Sequence, residues 1–371
     1  MKYFGLISLF ISLALITGVV IYLSNRLALF FPSIPQKVYI WGFIALFIIT
    51  FLSKTLLQTT ENPIEKTLLI FGGIASSIFI FLLLSVAVID LFNLIFKFSI
   101  QIRSILSIGL ALLFTIYGIW NAYSVHIKEI TIPVKGLMQE VNAVHLTDVH
   151  LGNFRGRKQV ERIVRLIKEL NPDVIFNTGD MFDSKVYFTD GDDVLAAFRT
   201  LNTPHYFVYG NHDVYVGVEN VIKRMNDVNA TVLLNKVVYF GELQIIGLNN
   251  MRPASNALDM HATGDSETIE DVLNQLEINK EYPTILLHHR PAGVKYMQEK
   301  GANLLLAGHT HAGQIFPFTL MAKLIFGYNR GIYKYKTMDI YVSEGAGTIF
   351  APVRFGTRSE VVFIRLVPEK Q

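Results

Sequence analysis

Nine residues, AVHLTDVHL at 143–151, place Asp148 and His150 two apart at the end of an apolar run, and NLLLAGHTHAGQ at 303–314 does the same with His309 and His311. Residues two apart on a strand point to one face, so Asp148 and His150 can close on one ion and His309 and His311 can reach a shared site. Between them lie IFNTGDMFD (175–183), YFVYGNHD (206–213) and TILLHHRP (284–291), apolar runs that end in carboxylate, amide or imidazole groups. Breaking a phosphate ester needs a strong nucleophile, neutralised phosphoryl oxygens and help for the leaving oxygen. Two metal ions about 3.5–4 Å apart, bridged by a carboxylate and a hydroxide, supply most of this. Asp180 is the candidate bridge, and Gly179 allows the tight turn ahead of it. Imidazoles and carboxylates suit Mn, Fe, Zn or Co better than Ca, with Mn the first choice. The chain has no cysteine, which excludes disulfides and thiolate metal sites.

The five motifs in order, D-x-H, GD-x-x-D, GNHD, H-x-P and GHTHAGQ, resemble those of the calcineurin-like metallophosphoesterase superfamily over residues 140–367. GHTHAGQ and VSEGAGTIFAPVRFGTRSEVV resemble its membrane-anchored branch in particular. The resemblance implies one metal held by Asp148, His150, Asp180 and His311, and a second held by Asp180, Asn211, His289 and His309. It implies His212 as general acid and Asp213 as the residue that orients it. The implied fold is an α/β four-layer αββα sandwich with the site at the C-terminal ends of its strands.

Other polar residues fall outside that set. His288 alternates to the other face of its strand from His289, in a core or supporting role. Arg354 is a candidate for substrate phosphate or for structure alone. Members of the family often carry a basic residue where this chain has Glu344, so no substrate contact is carried over there. His145 is expected to line the core or be hydrogen-bonded, and Asp183 to fix its loop. His126, His205 and His261 have no motif around them and are expected in surface or structural roles.

The elements that must position these groups read from periodicity. RKQVERIVRLIKEL (157–170) has helical spacing, further helices are expected at 217–227, 267–277 and 292–299, and 236–250 reads as a hairpin turning at Gly241-Glu242. Helices alternate with strands and then strands pair directly, which implies two packed sheets flanked by helices. Tyr187–Phe188 reads as core, and PFTLMAKLIFGY (317–328) either as core or as an acyl-chain groove or bilayer contact.

The first ~125 residues are nearly all apolar, with spans expected at 4–23, 38–57, 68–95 and 104–123 as an all-α transmembrane region, ahead of a catalytic domain at 126–371. A retained first span is favoured over a signal peptide. Asp90 near a span end is expected at headgroup level. With the N-terminus inside, Lys2, Lys54, Lys66, Lys128 and Lys135 lie inside against Arg26, Lys37, Lys97 and Arg103 outside, which leans towards a cytoplasmic catalytic domain in an inner or plasma membrane. The net charge of +3 is too mild to argue for nucleic acid. The expected activity is hydrolysis of a phosphodiester or pyrophosphate, in a lipid-linked substrate, by attack of a metal-bound hydroxide. A general phosphomonoesterase or cyclic-nucleotide phosphodiesterase is the enzyme alternative. A non-catalytic membrane sensor or scaffold, and a transporter regulated by the soluble domain, are the others.

Overall fold

The computed structural model describes residues 2–56, 62–188, 193–255, 263 and 265–369. His261 lies outside them. Four apolar helices come first: α1 (Lys2–Phe30), α2 (Gln36–Leu56), α3 (Pro63–Phe96) and α4 (Ile100–Tyr123). A helix satisfies its own backbone N–H and C=O groups, so apolar side chains can face outward into hydrocarbon at no backbone cost. Among the described residues, three stretches are long and apolar enough to cross a membrane: Leu13–Phe30, Ile64–Phe96 and Ile100–Tyr123. The apolar stretch of α2 among the described residues, Gln36–Leu52, is shorter. Leu57, the end of the expected second span, is outside the described residues.

Within this helical unit, Phe79 of α3 meets Phe43 and Phe47 of α2 edge-on, with ring centroids 4.9 and 5.2 Å apart. Asp90 of α3 accepts from Tyr22 Oη at 2.7 Å, pairs with Arg26 Nε at 2.6 Å and pairs with Arg103. Arg26 is one turn from the end of α1 and Arg103 is in the first turn of α4, so these charges gather at helix ends. The chain divides into two compact units, the helical one ending at Ile119 and the other starting at Trp120.

The second unit opens with β1 (Val125–Val134), β2 (Val141–Leu146), α5 (Arg157–Leu170), β3 (Val174–Asn177), β4 (His205–Phe207), α6 (Asn211–Val216), α7 (Val218–Asn226) and β5 (Thr231–Val232). It continues with β6 (Lys236–Phe240), β7 (Leu243–Gly247), α8 (Ile269–Gln275), β8 (Thr284–Leu287), α9 (Val294–Glu299), β9 (Leu304–Ala307), α10 (Phe318–Ile325), β10 (Gly331–Tyr335), β11 (Met338–Val342) and β12 (Ser359–Pro368). The expected helices at 157–170, 217–227, 267–277 and 292–299 are α5, α7, α8 and α9, and the expected hairpin is β6–β7.

Two mixed six-stranded sheets result, in the orders β1-β12-β2-β3-β4-β5 and β10-β11-β9-β8-β7-β6. Strands β3, β8 and β9 are four-residue runs buried on both faces, the mark of parallel strands covered on each side. One core lies between the sheets, where Val174, Phe176, Ile245, Leu287, Leu306 and Ile364 meet. A second packs α5, α6 and α7 on the first sheet through Ile163, Ile167, Val216 and Val221. A third packs α8 and α9 on the second sheet through Val272, Leu273 and Met297. The order of layers is therefore helix, sheet, sheet, helix, as expected. Tyr187 and Phe188 pack against the second of these cores.

Candidate metal centre

β2, β3, β8 and β9 run parallel within their sheets, and each is followed at its C-terminal end by a candidate ligand. Asp148 follows β2 by two residues, Asp180 follows β3 by three, His289 follows β8 by two and His309 follows β9 by two. The strand alternation expected to align Asp148 with His150, and His309 with His311, does not operate, because both pairs lie beyond their strands. They turn inward instead through left-handed backbone: φ is 53° at Asp148, 52° at His150, 52° at Asp180, 75° at His309 and 47° at His311. Each such residue other than glycine costs about 1–2 kcal/mol, and five gathered in one place mark a functional site.

Glycines open the space for these turns. Gly179 has φ +94°, and a Cβ there would stand 2.4 Å from Gly210 N. A Cβ on Gly308 would stand 2.1 Å from Asp148 Oδ2, and one on Gly210 2.1 Å from Asp180 Oδ1. Backbone hydrogen bonds then join the turns: Asp148 N to Gly179 O at 2.8 Å, and His150 N to Asp180 O at 3.0 Å. His309 N donates to Asp148 Oδ2 at 3.0 Å.

Among the described residues, three groups converge to within ion-binding reach: Asp148, His150 and His311; His150, Asp180 and His212; and Asp180, His289 and His309. Asp180 is shared by two of them. Its Oδ1 accepts from His212 N at 2.8 Å, and its Oδ2 lies 3.0 Å from His289 Nε2 and 3.8 Å from His150 Nε2. His150 Nε2 and His311 Nε2 stand 3.0 Å apart, with Asp148 Oδ1 3.2 Å from the latter. His289 Nδ1 donates to Thr178 O at 2.8 Å, which fixes its ring with Nε2 towards Asp180. The described geometry places His212 within reach of an ion, together with His150 and Asp180.

Asp213 and Asp183 exchange expected parts. The Asp213 carboxylate accepts from Asp180 N at 2.8 Å, Gly210 N at 2.9 Å and Phe182 N at 3.1 Å, so it braces the turn that carries Asp180. It is Asp183 that meets His212, with Oδ1 2.5 Å from Nδ1, and it also lies 3.6 Å from His150 Nδ1. Tyr215, one turn along α6, has its ring centroid 5.6 Å from that of His212. Its i, i+3 spacing from His212 in NHDVY was the available signal.

The remaining candidates sit further back. Arg354 is wholly buried, and its guanidinium is shared among Gly347 O, Glu344 O, Thr357 Oγ1 and the His311 ring, so it supports His311 and cannot meet solvent. Glu344 accepts from Arg330 Nη1 and Arg358 N, away from the ligand groups. His288 is fully buried and its Nδ1 donates to Arg290 O at 2.6 Å, and it belongs to none of the three ligand groups. His145 Nε2 meets Thr178 Oγ1 at 2.8 Å, and burial lowers its pKa to about 3. His205 is buried, while His126 is half-buried on β1.

The electrostatics favour positive charge. Burial works against a charged His150, yet Asp148, Asp183 and Asp180 push its pKa up to about 10. Burial likewise opposes a charged His289, and Asp180 with Asp148 brings it up to about 9. Burial would raise the pKa of Asp148, and the His311 and His150 rings reverse this and hold it well below the usual range. A field that keeps protons on the His150 and His289 rings also attracts divalent cations, while burial lowers the His311 pKa to about 4 and leaves that ring neutral, as a metal-binding imidazole must be. Asn211 Oδ1 is buried with no hydrogen-bond partner, a cost of about 1–3 kcal/mol that a cation would relieve. These donors therefore fit a pair of divalent ions.

A family model described as calcineurin-like phosphoesterase matches residues 141–313. A Danio rerio protein described as a transmembrane protein with metallophosphoesterase domain is 30% identical over 368 residues, spanning 90% of this chain and 82% of its own. The chain belongs to the calcineurin-like metallophosphoesterase family. Relatives in this family are described as metallophosphoesterases. A Bos taurus protein with the same description is 29% identical over 290 residues, covering 71% of this chain and 62% of that protein. A Helicobacter pylori protein described as an uncharacterized metallophosphoesterase is 34% identical over 250 residues. That match spans 66% of this chain and 65% of the length of the relative. The transmembrane relatives and the three apolar helices together support membrane association.

Proposed function

We propose that this metallophosphoesterase hydrolyses a phosphodiester or pyrophosphate bond in a lipid-linked substrate, using two divalent ions of which Mn is favoured. The observation that carries the reading is the Asp180 carboxylate, shared between His150 on one side and His289 on the other. Asp148, His150, Asp180 and His311 would hold one ion; Asp180, Asn211, His289 and His309 would hold the second. When bound, such ions supply Lewis acidity and charge neutralisation at the phosphoryl group. Asp180, common to both sets, would be the residue that holds both. His212 gives a proton to the leaving oxygen, its ring held by Asp183 through Nδ1, and it is exposed enough to meet substrate. Asp213 keeps the Asp180 turn in place.

The lipid-linked class follows from the helical region, read as four spans ahead of a catalytic domain at 126–371 on the cytoplasmic face. The test is hydrolysis of bis(p-nitrophenyl) phosphate by the purified full-length protein with Mn, beside Asp180→Ala and His212→Ala. Activity that vanishes in the first variant and drops steeply in the second supports the centre. Equal activity in all three overturns it. A lipid pyrophosphate in detergent, set against aryl phosphates, then separates the lipid-linked reading from a general phosphomonoesterase.

A further inference from the structure

The segment after the GHTH motif leaves its apolar side chains in the open. α10 buries Ala322 and exposes Phe318, Leu320, Met321, Leu324 and Ile325, with Leu324 87% and Ile325 68% exposed. Lys323 is its one charged residue. Contiguous bare apolar surface is uncommon on a water-facing protein, and an apolar helix face beside a basic residue is the composition of a helix lying in a membrane interface. The reading of this segment as plain core is thereby ruled out.

The patch also has a fixed address. Just ahead of α10, Phe316 N donates to Phe355 O at 2.8 Å. On either side of Phe355, the carbonyls of Arg354 and Thr357 accept from Asn121 Nδ2 at 3.0 and 2.8 Å. Asn121 belongs to the last turn of α4, whose apolar stretch ends at Tyr123, and the neighbouring Trp120 is exposed in the manner of an interfacial anchor. α10 is thus tied through residues 354–357 to the point where an apolar helix ends. On its other side, Phe326 packs edge-on against His309, with ring centroids 5.8 Å apart.

We propose that α10 is a monotopic membrane helix whose Leu324 and Ile325 enter the acyl region, and that it sets the metal centre against the bilayer surface so that substrate arrives from the lipid side. Lys323 meets anionic headgroups. The occupant of this face is lipid, not a second protein. The inference deepens the lipid-linked reading and rests on it only for what the nearby centre acts upon; insertion of the helix stands or falls by itself.

The absence of native cysteine allows a clean test. Full-length Leu324→Cys, carrying an environment-sensitive fluorophore, is reconstituted in vesicles of phosphatidylethanolamine and phosphatidylglycerol. Glu281→Cys serves as reference, since that exposed residue precedes β8 and so lies at the opposite end of the strand from His289. The expected result is quenching of the label at 324 by brominated lipid and protection from aqueous iodide, with the reverse at 281. Quenching at 324 by iodide alone overturns the proposal and leaves the helix in water. Protection from both quenchers also overturns it, because protein then covers the helix. Neither readout depends on hydrolysis, so failure of the proposed activity leaves the answer on α10 intact.

Discussion

Asp183 Oδ1 lies 2.5 Å from His212 Nδ1, while the carboxylate of Asp213, next to His212 in the chain, turns away to three backbone N–H groups. Two aspartates thus divide two tasks. Asp183→Asn is expected to lower kcat on bis(p-nitrophenyl) phosphate by about 10–100-fold with little change in KM, because the ring is no longer held by a charge. Asp213→Asn is expected to act on stability, since an amide cannot accept from both donor sets and leaves a buried N–H unmatched at about 1–3 kcal/mol. Denaturant midpoints beside steady-state kinetics separate the two. A kcat loss in Asp213→Asn at unchanged stability, with no loss in Asp183→Asn, would reverse the assignment.

Metal removal tests the shared carboxylate. Chelation should abolish hydrolysis and added Mn should restore it. Asp180→Ala should bind one ion or none per chain, because it faces both His289 and His150. Loss of several kcal/mol of charge stabilisation corresponds to roughly three orders of magnitude in rate. Elemental analysis of the purified variant decides the count. Two ions retained in Asp180→Ala would remove it from the bridging role.

The short strands were legible because runs such as ILL and LLLA, flanked by polar motifs, have no period other than burial on both faces. The layers followed from the alternation of these runs with α5, α7, α8 and α9. The partner of His212 was not legible. Asp183 reaches His212 only because Asp180 and Gly179 turn through left-handed backbone, and spacing along a strand says nothing of a turn beyond its end. For the same reason the i, i+2 argument for Asp148 and His150 named suitable residues by a mechanism that does not operate. α10 shows a different limit. FTLMAKLI states hydrophobicity but not what covers it, so core and bilayer read alike until exposure is known.

His205 gives a pH dependence separate from the metal groups. Its Nε2 accepts from Asn177 Nδ2 at 3.3 Å, and Asn177 Oδ1 accepts from Gly179 N, so a neutral ring underlies the Asp180 turn. Burial lowers its pKa to about 4, from about 6.5 in the unfolded chain. The unfolded state therefore binds more protons between these values, and stability falls as pH drops through that window. At pH 5 the loss from this residue is about 2 kcal/mol relative to neutral pH. Denaturation of wild type and His205→Gln at pH 7.5 and pH 5 should show a smaller acid loss in the variant by about that amount. An equal loss in both would mean that the ring is not buried neutral.

In the helical unit, Asp90 stands between Arg26 and Arg103 and accepts from Tyr22 Oη. Both arginines lean on one carboxylate, so Asp90→Asn leaves two like charges close together in a poorly solvated place. Breaking a pair from one side costs more than removing both partners, because the remaining charge has no counterpart. Asp90→Asn is expected to lower the thermal midpoint of the full-length protein in detergent, by a loss of about 1–3 kcal/mol given the partial exposure of Arg26. Adding Arg103→Gln should return part of that loss, giving a non-additive double-mutant cycle. Hydrolysis of a soluble aryl ester should survive in the variants that remain folded, since none of these groups belongs to the metal-centre unit. A cycle that closes additively would show that Arg103 draws nothing from Asp90, and that Arg26 and Tyr22 alone hold it.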